Sequence, residues 1–406
     1  MDEGKSVVNV KNRHGAIGLL LAMVLLGVFP LDVLLPSFPA LAGQFHTTPA
    51  DIALSISLFA VGIALSQLLI GPLSDVIGRK KLLLAGMGVS MMGAMGCVLS
   101  TDYASFLLFR VVQALGCGCF VLSQALVQDL FRGEERERLR ILMVTATGFF
   151  ISVSPLAGTF LQATLDWQGS FVLFTALAVV VFIKACFLLE RSHPGAVGGR
   201  PNIIQSYRRV FSDFEFLGYW LISAFAFACH FSFIVISPLI FMEQLQLSPY
   251  DFSLTLLIYG VAYLVGGILA TLLTHRISAC HQIVIGLGLI FLSGLSLLYL
   301  SLHFPLSAAT VLIPMLICTA GTTIARPAAT SKAMSLFPDN AGTSASAGST
   351  LIFICGGLIS ALISLSPANL QATLGYSFII LSALALALNS RINNHAKSMS
   401  PDPDCE

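Results

Sequence analysis

The sequence predicts an all-α membrane protein with twelve transmembrane helices arranged in two six-helix bundles. Three observations carry this: the composition, the length of the uncharged runs, and the placement of Lys and Arg. Of 406 residues, 56% are hydrophobic and only 10% are charged, whereas a soluble domain carries about a quarter charged. Mean hydropathy is +0.89. A water-soluble fold of this length cannot hide so much apolar surface, and lipid is the remaining solvent.

The runs free of Asp, Glu, Lys and Arg are 82–101, 111–128, 141–165, 216–242, 252–275, 277–325 and 340–390. A spanning helix needs about 20 mostly apolar residues. The two longest runs are therefore helix pairs, broken near His303–Pro305 and near Ser366–Gln371. Further spans near 16–36, 52–73, 103–128 and 170–190 bring the total to twelve. A β-barrel is excluded, because its strands would alternate over short segments. The first apolar run follows Lys11 and Arg13 and ends by Ala40-Leu41-Ala42, the layout of a cleavable leader. Asp32 and Pro30 inside it, and the even helix count it completes, make it a retained span.

Arg110, Lys184 and Arg326 lie within apolar segments. The other Lys and Arg residues precede helix 1, follow helix 12, or sit in the 2–3, 4–5, 6–7, 8–9 and 10–11 connections. The opposite connections carry Asp51, Asp102, Asp166, Glu243 and Asp251. The positive-inside rule then places both termini in the cytoplasm, in a multi-pass protein of the bacterial inner membrane. The polar, Gly-rich and basic stretch Arg191–Ser212 reads as a cytoplasmic linker. It divides the chain into an N-terminal bundle (1–191), the linker (192–212) and a C-terminal bundle with a short tail (213–406). Two halves of six helices suggest an internal repeat, with a substrate site between them near the bilayer midplane.

Enzymatic chemistry is not expected. No Walker motif, no HExxH and no Gly-x-Ser-x-Gly occurs. Nine scattered cysteines without a CxxC pair read as small packing residues. No cofactor, metal or nucleic-acid partner is expected. The expected partners are a small-molecule substrate, protons and the lipid bilayer, with the monomer as the functional unit.

The 2–3 loop reads Gly71-Pro72-Leu73-Ser74-Asp75-Val76-Ile77-Gly78-Arg79-Lys80-Lys81. Gly78 suits a tight turn, and one carboxylate stands among cations at the membrane surface. The pattern closely resembles the loop signature of the major facilitator superfamily, departing from it at Val76, where a basic residue is common. The resemblance implies that Asp75 faces the start of helix 11 near Gly342-Thr343-Ser344, and that Arg79 pairs with Asp129 at the end of helix 4. Together with Gly71, Gly78 and Lys80 these would latch a cytoplasmic gate. Helix 4 carries Arg110-Val111-Val112-Gln113-Ala114-Leu115-Gly116, which is similar to the superfamily's R-x-x-Q-x-x-G signature. A charge inside a span is costly and marks a candidate site. Gln113 and Gly116 share the face of Arg110.

Asp32 is the only carboxylate within the body of helix 1, about 24 Å from its start. Arg110 lies near the outer end of helix 4, at similar depth. Burial and a neighbouring cation act oppositely on a carboxylate's hold on its proton. Such a pair can load and release a proton; a fixed structural ion pair is the alternative. The segment Leu31 to Pro39 resembles helix 1 of the twelve-span drug:proton antiporters, most of all the bicyclomycin and chloramphenicol resistance subfamily. Ser154-Pro155-Leu156-Ala157-Gly158 resembles that family's helix 5 motif, with Ser154 and Thr159 where glycines are usual. Phe225 to Phe241 resembles helix 7, and Phe337 to Gly348 the start of helix 11.

Helices 5 and 11 are dense in small residues, which allow close backbone approach and suit surfaces that rock. On helix 7, Phe227, His230 and Phe231 either line a cavity for an aromatic or amphipathic ligand or serve ordinary packing. His230 can bind substrate or assist proton movement. Gln113 and Gln124 offer polar contacts. Arg326, before Pro327 in helix 10, either meets an anionic group or snorkels. The resemblance implies a proton-coupled antiporter that exports small amphipathic compounds, either drugs or an endogenous metabolite. The excess of buried cationic groups leaves open an exporter of siderophores or other anionic or zwitterionic metabolites. A proton-coupled importer and a non-transporting membrane sensor also stay open.

Overall fold

The computed structural model describes residues 13–131, 133–189, 203–274, 276–337, 341–366 and 369–399. Among them are twelve helices long and apolar enough to cross a membrane. They are α1 (Arg13–Gln44), α2 (Pro49–Ser74), α3 (Arg79–Leu99), α4 (Tyr103–Val127), α5 (Ala146–Leu165) and α6 (Gln168–Leu188). The second half has α7 (Phe214–Gln244), α8 (Pro249–Ala270), α9 (Ala279–His303), α10 (Ala308–Leu336), α11 (Thr343–Ser364) and α12 (Leu370–His395). The fold is all-α, in two six-helix bundles. The face with the α2–α3 connection is called the basic face below, and the opposite one the acidic face.

Local chemistry sets the helix ends. At the acidic face, Thr48 caps α2 and Ser307 caps α10, each in a reciprocal box with the residue three positions on, and Asp102 caps α4 through the Ser105 amide. These side chains accept from amides that lack a helical partner. The Ser105 amide, by donating to the Asp102 carboxylate, holds that acid below its ordinary range. At the basic face the α2–α3 turn is made at Gly78, with φ of 97°. Glycine alone takes that conformation freely.

One expectation changes: the first span, expected to end near residue 36, continues to Gln44 as α1. It is regular only through Asp32, then tightens into a 3-10 turn at Leu35–Ser37 and resumes as Phe38–Gln44. Pro36 and Pro39 carry no N–H, so the Asp32 and Leu35 carbonyls lose their helical donors and the helix breaks there. The linker is described only in part. Residues 190–202 lie outside the described residues, and Ile203–Ser212 is a helix.

The halves repeat in their packing, although their residues barely match. In the first half α1 packs on α5 and α6, α2 on α4, and α3 on α4 and α6. In the second, α7 packs on α11 and α12, α8 on α10, and α9 on α10 and α12. Each contact recurs six helices later. The halves meet along two seams, α2 with α11 and α5 with α8, which the same relation exchanges. The most enclosed helix is α7, with 89% of its apolar window buried against 28% for α6. The large exposed side chains Phe187, Leu302 and Leu99 belong to outer surfaces that lipid would cover.

Candidate functional site: two charged centres between the halves

Asp32 sits at the break in α1 and is 7% exposed. Among the described residues no cation lies within 4.0 Å of it. Helix α5 approaches this break closely: a Cβ at Gly158 would collide with the Val33 carbonyl. Gly158 therefore serves contact with α1. Ser154 and Pro155 flank it, with Ser154 buried. The Pro155 carbonyl accepts from the Ser253 hydroxyl of α8 at 3.1 Å. Thr159, where the resemblance leads to a glycine, bonds the Ser253 hydroxyl at 2.6 Å and the Pro249 carbonyl at 3.1 Å. Its hydroxyl becomes a strut between the halves.

Arg110 is 1% exposed. It donates from Nη1 to Gln113 Oε1 at 2.8 Å and from Nη2 to the Pro30 carbonyl at 3.3 Å. Its guanidinium lies 4.0 Å from the Phe59 ring centroid and 5.7 Å from that of Phe171. The expected direct partnership with Asp32 is thus replaced: Arg110 grips the backbone of the same helix two residues earlier. The spacing in R-x-x-Q-x-x-G also gains a reason. A Cβ at Gly116 would strike the Ser90 backbone, and one at Gly93 the Gln113 backbone, so α3 and α4 touch main chain to main chain. Gln124 lies further along α4 and is exposed, apart from the Arg110 cluster.

The second centre joins α7, α8, α10 and α11. The Arg326 guanidinium lies 4.8 Å from the Phe227 ring centroid. Phe227 stacks on Phe231 at 5.2 Å and meets Phe353 edge-on at 5.5 Å. Gly356 makes room for this: a Cβ there would come within 2.8 Å of Phe227. His230 is buried, with Nδ1 2.5 Å from the Tyr259 hydroxyl, and its ring stacks on Tyr259 and tilts against Tyr263. Arg326 makes no hydrogen bond or ion pair among the described residues, and its Nε is buried without a partner.

At the basic face, Arg79 Nε lies 2.8 Å from Asp129 Oδ2. The Asp75 side chain and residues 338–340 lie outside the described residues. Lys80 departs from the gate pattern. Its ammonium donates to the Cys186 carbonyl at 2.6 Å and to the Leu189 carbonyl, capping the end of α6 inside its own half. Gly71 lies against Ser346, where a Cβ would sit 2.9 Å from the hydroxyl. Along the α2–α11 seam Ser346 donates to the Gln67 carbonyl at 2.7 Å and Thr350 to the Ala64 carbonyl at 3.2 Å, while Ser57 and Ser360 share a bond of 2.8 Å. Tyr207 of the linker helix donates to the Leu68 carbonyl at 2.9 Å and lies 3.1 Å from the Ser346 hydroxyl. Partial burial raises this phenol's pKa, so it stays protonated and remains a donor.

The acidic face is closed by the α1 turn Leu35–Ser37 packing on α7 and α8. Sequence reasoning missed Tyr259, Tyr263, Phe59, Phe171 and Tyr207. Only the Tyr pair carried a signal, two aromatics one helical turn apart.

Known proteins resemble this chain. The family model described as Major Facilitator Superfamily matches residues 16–361. "Uncharacterized MFS-type transporter YdgK" of Bacillus subtilis (strain 168) is 27% identical over 63% of this chain and 65% of its own length. "Multidrug resistance protein MdtL" of Citrobacter koseri is 25% identical over 58% of this chain and 60% of its own. The matched stretch is thus under two thirds of either relative. "Bicyclomycin resistance protein homolog" of Haemophilus influenzae is 24% identical over 88% of this chain and 91% of its own. The solved structure titled "Crystal structure of D-xylose-proton symporter" superposes with a TM-score of 0.74 at 15% identity, covering 92% of this chain and 97% of that one.

Proposed function

Since this chain belongs to the Major Facilitator Superfamily, a family of multi-pass membrane transporters, we propose that it is a proton-coupled antiporter exporting small amphipathic compounds. It would act in the bacterial inner membrane with its basic face and both termini in the cytoplasm. Asp32 carries this reading: a carboxylate buried at a helix break, with no cation within 4.0 Å among the described residues. Unpaired ionised carboxylates are costly in low dielectric, so such a group trades its proton as its surroundings change from closed to water-filled. Arg110 fixes the shape of the break by holding the Pro30 carbonyl. The names of the Citrobacter and Haemophilus relatives, for multidrug and bicyclomycin resistance, support drugs or drug-like metabolites as cargo.

Transport then alternates between the two faces. Substrate would enter between the halves from the cytoplasm while the basic face is open and the acidic face closed. Rocking along the two seams would reverse this, and protonation of Asp32 from outside would drive the return. The Arg79–Asp129 pair would belong to the cytoplasmic gate.

The test uses inverted membrane vesicles with an acidified lumen and a panel of labelled amphipathic compounds. Uptake should appear in inverted vesicles only, collapse with a protonophore, and fall to background in Asp32→Asn. Uptake that survives the protonophore, or that Asp32→Asn leaves proton-driven, would remove the reading.

A further inference from the structure

The cargo class can be argued from Arg326. This residue lies about 27 Å along α10 from Ala308 and about 15 Å from Leu336, well inside the span. A cation at that depth is tolerated where it is paired, bonded to backbone, or facing water. Arg110 shows the bonded solution. Arg326 has no such bonds among the described residues. Snorkelling is not its geometry either, since the guanidinium folds over Phe227 of α7, the most enclosed helix. No Asp or Glu occurs in 252–390 except Asp339, beyond the end of α10, and those of α7 and α8 lie at the helix ends. The half therefore holds a buried cation and supplies no anion at its depth. Arg326 and Phe227 are both half-buried, so the cluster keeps an accessible side.

We infer that Arg326 is the docking group for an anionic moiety of the cargo, a carboxylate or phosphonate, whose planar apolar body lies along the Phe227–Phe231 pair. The guanidinium presents parallel N–H donors that match two anionic oxygens. The stacked rings offer a flat apolar wall beside it, with Phe353 edge-on behind. His230 bonded to Tyr259 closes the α8 side of the cluster with a polar contact. Monoanionic or zwitterionic aryl compounds are the class that satisfies the orphaned charge. Permanent monocations are the class it repels.

This inference takes the inter-half space as the cargo site, and so rests on the transport reading, but not on proton coupling. The probes are 2-naphthoate, its primary amide 2-naphthamide, and 2-naphthylmethylammonium, measured by equilibrium dialysis against the full chain in nanodiscs. The wild-type protein should bind the carboxylate about tenfold or more tighter than the amide, and the ammonium more weakly than either. Arg326→Gln should bring the carboxylate down to the amide's affinity, and Arg326→Lys should keep part of the preference. A wild-type protein that ranks the three probes equally, or Arg326→Gln that keeps the carboxylate preference, overturns the inference. The wild-type ranking needs no variant and so survives any folding defect. Loss of proton-driven uptake in vesicles with the carboxylate preference intact would defeat antiport alone. Antiport without the preference would defeat this inference alone.

Discussion

Each half places an arginine against a phenylalanine ring, Arg110 on Phe59 at 4.0 Å and Arg326 on Phe227 at 4.8 Å. The helices that carry them, α4 and α10, occupy equivalent places in the repeat. Their surroundings differ in one decisive way. Both Nε atoms are buried without a partner, but Arg110 is sealed in and its terminal nitrogens are spent on Gln113 and the Pro30 carbonyl. Arg326 is half-open and its donors are unspent. A buried cation whose bonds are all internal works as a strut, because its energy is fixed by the fold. A cation with free donors lowers its energy only when something arrives. The repeat thus preserves packing while its two arginines differ; on the proposed reading, one half would hold the geometry of the proton site and the other would be left open to cargo.

The sharpest way to break this comparison is to delete the strut. Arg110→Ala leaves Gln113 and the Pro30 carbonyl unpartnered in a dry site and removes a cation–π contact. The expected cost is about 3 kcal/mol, seen as loss of monodisperse protein in detergent. Arg326→Gln should cost about 1 kcal/mol or less. Equal losses from the two would erase the distinction.

A smaller effect is expected at Gly158. Substitution by Val drives a side chain into the Val33 carbonyl and should cost about 1–3 kcal/mol. It should also disturb proton coupling through the Asp32 break while leaving the carboxylate preference at Arg326 unchanged. A coupled loss of both would mean that the two centres are not separable.

The smallest effect concerns acid. Helix α4 starts on an ionisable cap, Asp102, and α10 on a neutral one, Ser307 with Thr310. Asp102 is held below its ordinary range when folded. Its contribution is therefore complete above the ordinary carboxylate range and is lost as pH falls through the folded value. Hydrogen exchange should show the first turn of α4 loosening in that acidic window and the first turn of α10 unmoved. Asp102→Asn should abolish the difference.

Much of this was legible in the chain. Twelve spans follow from uncharged runs, since lipid admits few alternatives to helix. Gly78 and the Arg79–Asp129 contact also lie where the loop pattern and its resemblance point. The break after Asp32 could have been read from Pro36 and Pro39, because each deletes a donor at a known offset. Other features had no local signal. Lys80 sits within a gate motif, yet its ammonium finds carbonyls more than a hundred residues away. The hold of Arg110 on Pro30, and not on Asp32, depends on where two helices cross, and no spacing in either records that.

The seams have a further consequence for speed. Thr350 reaches the Ala64 carbonyl across the interface and also the Ser346 carbonyl of its own helix at 2.8 Å. Thr159 divides itself in the same way between the Pro249 and Pro155 carbonyls. Ser57 has the Ala53 carbonyl, and Ser360 that of Gly357, beside the bond the two share. Each hydroxyl carries a berth at home as well as one abroad. If the halves rock apart as proposed, a donor can swing to its own carbonyl and need not be stranded in a dry interface. The seams would then be lubricated by their own helices, and turnover would not have to wait for water to reach them.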